Sequence, residues 1–308
     1  MRYTLRQLAV FAEIARSENV SHAARALNLS QSAASTAMAE FERQFDVQLF
    51  DRVGKRLRLN DRGRKLLPRA LELLDRAAEF ESMLRGDASM GDLRIGATLT
   101  IGNYLATLIV AEFLQRYPES RVELHVHNTA TVVEHIVAHR IDLGMIEGEC
   151  HSPDVEVEPW IEDELVVFCS PGHRFASAGA LSLGELADEP WILREPGSGT
   201  RETLDHALWR LGAQVNVRFE LEHTEAVKRA VEFGLGLGCI SRVALRDAFR
   251  RGSLVPLAVP ALDLRRMFQF VWHRGKYRNE AMRVFLERCR MLTRGLRRSD
   301  EIQLPNVR

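Results

Sequence analysis

The 308-residue chain lacks most of the features that would assign a function class at once. Its four cysteines, Cys150, Cys169, Cys239 and Cys289, are far apart and form no Cys-x-x-Cys. A disulfide framework or a thiolate metal site therefore has no support. Cys169 and Cys239 sit in apolar runs and read as reduced, buried thiols, with a redox switch as the other reading. No window approaches 18 uncharged apolar residues, so no membrane span is expected. The opening Met-Arg-Tyr-Thr-Leu-Arg-Gln-Leu has no continuous apolar core, so no secretory signal is expected and the protein is placed in the cytoplasm. Gly197-Ser198-Gly199 does not complete a Gly-x-Ser-x-Gly elbow. Gly234-Leu235-Gly236-Leu237-Gly238 follows a helix and leads into a strand, the wrong order for a phosphate loop. His135 and His139 lie four apart, but no third metal ligand is evident and a solvent-facing pair is expected. No cofactor, metal or catalytic residue is assigned, and the chain is not read as an enzyme.

Net charge is missing too. Forty-two Lys and Arg balance forty-two Asp and Glu, which at first argues against a nucleic-acid partner. The balance is uneven along the chain, however. From Phe50 to Ala70 there are eight basic residues (Arg52, Lys55, Arg56, Arg58, Arg62, Arg64, Lys65, Arg69) and two acids (Asp51, Asp61). This short segment carries +6, the footprint that phosphate contacts require, and the remainder carries −6.

What precedes the basic segment gives it a purpose. Leu5, Leu8, Ala9, Phe11, Ala12, Ile14 and Ala15 recur at helical spacing and predict a helix over Leu5–Ser17. Ser21 is a candidate N-cap for a small-residue helix to Leu27, and Ser30 for a helix from Gln31 to about Phe45. Two helices joined by about three residues, with alanines where they cross, form a helix-turn-helix. The second opens Gln31-Ser32-Ala33-Ala34-Ser35, short side chains suited to reading base edges in a major groove. Leu49 to Leu59 reads as two short strands about a Gly54 turn, a wing carrying basic residues.

On these residues, positions 3–65 resemble the winged helix-turn-helix of LysR-type transcriptional regulators. The matching stretches are Leu5-Arg6-Gln7-Leu8 with Phe11, Ser21-His22-Ala23-Ala24 with Leu27, Ser30-Gln31-Ser32-Ala33-Ala34-Ser35, and Leu49-Phe50-Asp51-Arg52. Ala34 stands where most members have Val or Ile. The resemblance implies DNA contacts by Ser21, Ser30, Gln31, Ser32, Ser35 and the wing residues Arg52, Lys55, Arg56 and Arg58. It implies a pseudo-palindromic double-stranded operator and self-association as a dimer or tetramer.

Residues 61–90 read as a linker helix capped by Asp61, with a Leu67, Leu71, Leu74, Ala78 seam expected to pair with a second copy. The helix is expected to fray at Gly86–Gly91. From 91 to 308, strand and helix signals alternate, which implies an α/β architecture with mostly parallel sheets. Two similar runs suggest two lobes, about 91–162 with 267–300 and about 163–266, with the chain crossing near Trp160–Glu164 and Arg265–Phe268. The fold class is thus an N-terminal all-α winged helix-turn-helix (1–60), a linker helix (61–90) and a C-terminal α/β effector domain (91–308). The resemblance implies a periplasmic-binding-protein-like fold for that last part.

Ligands of open α/β sheets bind at the carboxyl ends of strands. Thr98, Thr100, Asn128, Thr129, Glu147, Arg194, Ser198, Thr200 and Arg201 fall at such ends or at the helix starts that follow, where free N–H groups and the helix dipole favour an anion. Each also reads singly as a helix cap. Thr100 to Tyr104, Asp163 to Phe168 and Trp191 to Arg201 look most like the sulfite-linked YeiE/FinR branch of the family. That implies a small anionic effector, with sulfite the first choice. Glu147 would repel an anion unless Arg201 or Arg194 balances it. The late arginines from Arg283 to Arg298 read as a solvated helix face and tail.

Overall fold

The computed structural model describes residues 2–53, 56–85 and 91–302. Gly54, Lys55 and, of the expected fraying segment Gly86–Gly91, all but Gly91 lie outside the described residues.

The N-terminal helices form where the apolar spacing puts them: α1 (Leu5–Ser17), α2 (Val20–Ala26) and α3 (Gln31–Gln44). A capping box opens α1, where the Gln7 N–H donates to Thr4 Oγ1 (3.2 Å) and the Thr4 N–H to Gln7 Oε1 (3.0 Å). Ser30 caps α3 as expected, accepting from the Ala33 N–H at 3.1 Å. Ser21 does not cap α2. Asn19, in extended conformation, accepts from the His22 N–H at 3.0 Å and takes that role two residues earlier. Ala23, Ala24 and Ala34 are fully buried where the helices cross. They share a core with Phe11, Met38, Leu49 and Phe50. Strands β1 (Phe50–Val53) and β2 (Arg56–Leu59) pair antiparallel and make the wing.

The linker helix α4 (Asp61–Arg85) has 25 residues, about 37 Å at ~1.5 Å per residue. Its cap is Asn60, which accepts from the Gly63 N–H (2.9 Å), while Asp61 occupies the first turn and pairs with Arg64. The expected seam is not the free one. Leu67 and Leu71 are buried in the N-terminal core and Leu74 packs beside them, because the first three turns of α4 lie against α1. A different apolar stripe stays open: Leu66, Leu73 and Phe80, seven apart, with Met83 and Leu84.

Beyond residue 91 two sheets share a pair of long strands. The first contains β3 (Asp92–Thr98), β4 (Arg121–His127) and β5 (Leu143–Glu147). The second contains β7 (Pro190–Arg194), β8 (Asn216–Leu221) and β9 (Leu237–Ser241), and β10 (Val255–Leu257) lies beside them. The bridging pair is β6 (Val155–Cys169) and β11 (Arg265–His273). The strand order is β4-β3-β5-β11-β6-β9-β7-β8, with β10 on β6. The β3–β4, β3–β5, β7–β8 and β7–β9 pairs are parallel, and the bridging strands run antiparallel to each other. Strand β6 is long, and its acid-rich start, Val155–Glu164, pairs along β11 in the first lobe. Only its end, Leu165–Cys169, belongs to the second.

Helices cover both sheets: α5 (Leu99–Ile101), a π-helical turn (Gly102–Ala106), α6 (Thr107–Arg116), α7 (Thr129–Val137), α8 (Leu183–Ala187), α9 (Gly199–Arg210), α10 (Thr224–Glu232), α11 (Arg242–Arg251) and α12 (Glu280–Thr293). Each lobe has its own apolar core, one around Ile95, Phe113, Phe268 and Phe285, the other around Leu165, Trp191 and Leu237. Cys169, Cys239 and Cys289 are buried in these cores and free. Burial pushes the Cys169 thiol up to about 11 and the Cys239 thiol up to about 12.

Among the late arginines, Arg283, Arg290, Arg294 and Arg297 are exposed as expected, while Arg288 and Arg298 are partly covered. Arg288 pairs with Glu112, Arg290 with Glu158 (2.7 Å), and Arg298 with Glu164 (3.2 Å). These contacts tie α12 and its tail to the first lobe.

A charged cluster joins α1 and α4 to the first lobe. Lys276 bridges Asp75 of α4 (2.7 Å) and Asp142 (2.9 Å). Arg94 grips Asp142 through Nε (3.1 Å), Nη2 (3.0 Å) and its backbone N–H (3.0 Å). Arg16 of α1 donates to the His139 carbonyl at 3.0 Å, and burial lowers its pKa to about 10. His139 is not a helical, solvent-facing residue. It follows α7 with φ of 54°, is buried, and its ring lies 4.0 Å from that of His273.

Candidate functional site

Strand ends and helix starts converge between the lobes. The first helix begins at Leu99 and continues through the π turn to Arg116. Thr98 holds its N-cap position, yet its side chain makes no capping bond. Its Oγ1 is buried and has no hydrogen-bond partner among the described residues, a cost that a ligand or water would relieve. The Thr100 N–H donates to Glu147 Oε1 at 3.4 Å.

From the second lobe, α9 brings its N-terminus to the same place. Ser198 holds its N-cap position and Thr200 its first turn, both buried. Thr129 Oγ1 links the lobes by accepting from the Gly199 N–H (3.2 Å) and donating to the Glu147 carbonyl (3.1 Å). The Ala130 N–H donates to the Gly197 carbonyl at 3.2 Å. A Cβ on Gly199 would sit 1.9 Å from the Glu147 carbonyl oxygen, which is why glycine stands there. Gly199→Ala is expected to force the lobes apart and lower stability by about 1–3 kcal/mol. Urea denaturation and the radius of gyration in small-angle scattering check it, and an unchanged radius and midpoint would count against this reading of the contact.

Asn128 caps α7 through the Thr131 N–H (3.0 Å) and donates to Glu195 Oε1 (3.2 Å). Glu195 in turn holds the buried Arg194 (Nε to Oε2, 2.8 Å), whose Nη1 reaches Thr224 Oγ1 at 3.3 Å. Across the opening, Tyr104 of the first lobe donates to Glu225 and accepts from Lys228 (3.4 Å) of the second. Burial and Glu225 hold the Tyr104 hydroxyl well above the usual phenol range.

Arg201 departs from expectation. It is bound to Asp205 (2.9 Å), Glu220 (2.6 Å) and the Arg194 carbonyl (3.0 Å), all within the second lobe. Neither it nor Arg194 balances Glu147. Arg266, at the start of β11, does so by an ion pair. Arg266 Nε also donates to Asp163 Oδ2 (2.8 Å) and its Nη1 to Thr200 Oγ1 (3.1 Å). Asp163 accepts further from Ser241 (2.7 Å) and Ser299 (2.6 Å), and burial pushes its carboxyl up against these partners. Arg266, Asp163, Ser241 and Ser299 were missed by sequence reasoning. The available signal was positional: Asp163 and Arg266 both fall within the expected crossing points, where a buried charge needs an opposite one.

The second candidate surface is the N-terminal unit. Ser30, Gln31, Ser32 and Ser35 are exposed along the opening turns of α3, and Ser30 Oγ lies 3.0 Å from Ser32 Oγ. Ser21 is half-buried on α2. Arg52 and Arg58 are exposed on the wing, with Arg58 Nε 3.9 Å from Glu18. Arg56 begins β2, and Lys55 lies outside the described residues. Among the described residues no helix is long and apolar enough to cross a membrane.

Comparison with known proteins agrees with this arrangement. Residues 5–64 match the bacterial regulatory helix-turn-helix protein, lysR family, and residues 86–294 match the LysR substrate binding domain. The chain is 46% identical to the HTH-type transcriptional regulator YeiE of Escherichia coli (strain K12), over 94% of this chain and 98% of that one. It is 33% identical to the RuBisCO operon transcriptional regulator of Allochromatium vinosum, over 93% of this chain and 95% of that one. The regulatory domain of CcmR from Synechocystis PCC6803, solved in complex with 2-PG, superposes with a TM-score of 0.63 at 28% identity, covering 67% of this chain and 99% of that domain. With a helix-turn-helix and wing at one end and a two-lobed ligand-binding fold at the other, the chain belongs to the LysR family of DNA-binding transcriptional regulators controlled by small-molecule effectors.

Proposed function

We propose that this regulator senses a small oxyanion, sulfite first, held between the lobes by Thr98, Thr100, Thr129, Ser198 and Thr200, with Asn128, Glu147 and Arg194 around them. The carrying observation is the buried Thr98 Oγ1, without a hydrogen-bond partner among the described residues, at the start of one helix, where the N-terminus of a second helix is tied to the first lobe through Gly199 and Thr129. Hydroxyls and free N–H groups at helix starts suit a compact anion. Sulfite is preferred because the chain resembles the sulfite-linked branch. Ser30, Gln31, Ser32 and Ser35 read base edges, Ser21 supports them from α2, and Arg52 and Arg58 with Lys55 and Arg56 grip phosphates. The open stripe of Leu66, Leu73 and Phe80 on α4 receives the same stripe of a second copy, since a seven-residue period suits a two-helix seam. The dimer then sets two α3 helices in successive major grooves of a pseudo-palindromic operator. Effector binding shifts the lobes and so the spacing of those helices.

A footprint on the DNA upstream of the protein's own gene, with and without sulfite, sulfate and phosphate, tests this reading. A protected site whose extent changes with one anion is expected. No protected site sinks the DNA assignment, and protection indifferent to all three sinks the effector assignment. The double variant Arg52→Ala/Arg58→Ala is expected to reduce the slope of log K against log salt by about 2, at ~0.9 per lost phosphate contact. An unchanged slope removes the wing from the interface.

A further inference from the structure

The Glu147 carboxylate occupies a donor set of the kind an oxyanion would use. It ends β5, is 1% exposed, and is held by the Arg266 guanidinium, the Thr100 N–H (3.4 Å) and, at long range, Thr200 Oγ1 (3.5 Å). These donors come from three places: a helix start in the first lobe, the first turn of α9 in the second, and the bridging strand β11. Guanidinium, backbone N–H at a helix start and hydroxyl are what anion sites are built from. Thr98, whose Oγ1 is buried and without a hydrogen-bond partner among the described residues, is two residues before Thr100, at the N-cap position of the same helix. Arg266 is also shared with Asp163 at 2.8 Å. Two buried carboxylates already face one guanidinium, so an added anion would make three.

We infer that the Glu147 carboxylate is a resident competitor for the effector seat, displaced from Arg266 and Thr100 when an external oxyanion binds. This rests on the anion reading above and adds how the site is regulated. The seat is filled in the free protein by the chain's own carboxylate. Effector affinity is therefore the difference between two anions on the same donors, and it is held down by Glu147. Displacement also reaches the lobe contact, because the Glu147 carbonyl accepts from Thr129, which accepts from Gly199 of the second lobe. A moving Glu147 changes a connection between α9 and β5 that runs through Thr129.

The test is calorimetric titration of the full-length protein and its Glu147→Gln variant with sodium sulfite, sodium sulfate and sodium phosphate. Gln keeps the shape and removes the charge, and Arg266 keeps Asp163 as its counter-ion. The variant is expected to bind the preferred anion at least about tenfold tighter. Glu147→Thr, which empties the seat, is expected to move affinity the same way and serves where the Gln variant is unstable. Binding by the wild type that both variants leave unchanged or weaken overturns the competitor role and leaves the anion reading intact. Absence of binding by every form to all three anions overturns the anion reading, and the competitor role with it.

Discussion

Asp142→Asn is expected to lower the unfolding free energy by about 3–5 kcal/mol, the usual cost of removing one partner from a buried ion pair. Asp142 is 6% exposed and accepts from three nitrogens of Arg94 and pairs with Lys276. An Asn of the same shape offers Arg94 an amide in place of a carboxylate. Lys276 keeps Asp75 at 2.7 Å, so Arg94 carries most of the loss. The charge ordering agrees: Arg94 and Lys276 hold the Asp142 carboxyl well below the usual carboxylate range against its burial. A depressed carboxyl contributes stability that is full above the unfolded pKa, about 3.9, and is lost as pH falls below it. Urea denaturation at neutral pH, followed by tryptophan fluorescence, reads the effect. All four tryptophans lie beyond residue 91 and report on the lobes. Asp205→Asn is the control. Asp205 is half exposed and pairs with Arg201 within one helix, so a change below about 0.5 kcal/mol is expected. Similar losses in the two variants would refute the distinction.

The second large effect concerns acid. The buried His139 imidazole has its pKa lowered to about 3, first by burial and then by the neighbouring His273, Arg16 and Lys276, with Asp142 opposing. In the unfolded chain the same group titrates near ~6.5. The unfolded state therefore binds a proton that the folded state refuses. Stability is full above ~6.5 and falls as pH drops toward 3, by about 2 kcal/mol at pH 5 and roughly 5 in total. His139→Asn removes the titration. The left-handed φ of 54° is one that Asn accepts more readily than most residues. The variant is expected to match the wild type within about 1 kcal/mol at pH 7.5 and to exceed it by about 2 at pH 5. Urea midpoints at the two pH values measure this, and an equal pH slope in both proteins would reject it.

Much of the fold was legible because it rests on local pattern. The 3.6-residue spacing of Leu8, Phe11, Ala12 and Ile14 gives α1, and β-branched runs such as Val166 to Cys169 give buried strands. Misreadings cluster where two local signals compete. Asn19 and Ser21 are both good caps, and Asn60 and Asp61 likewise; the chain direction entering each helix chose between them. Val155–Asp163 is rich in acids, and pairing along β11 makes it a strand. At the candidate site between the lobes, the sequence could place polar residues at helix starts, where caps and anion donors share residue types. The direction of a long side chain was not. Arg201 and Arg266 are equal as sequence, but one is tied to Asp205 and Glu220 while the other faces Glu147.

Sequence alone carries most of the helices and strands, the two-lobed alternation, the basic wing inside a neutral chain, and the short polar face that opens α3. These depend on spacing and composition, which one strand or helix expresses alone. The tertiary structure decided which partner each buried charge has, which face of α4 remains open, and that β5 and α9 meet at Gly199. Those outcomes depend on residues far apart in the chain, such as Glu147 with Arg266 and Asp142 with Lys276. In a buried setting of low dielectric, only the folded geometry says which opposite charge is near enough to hold.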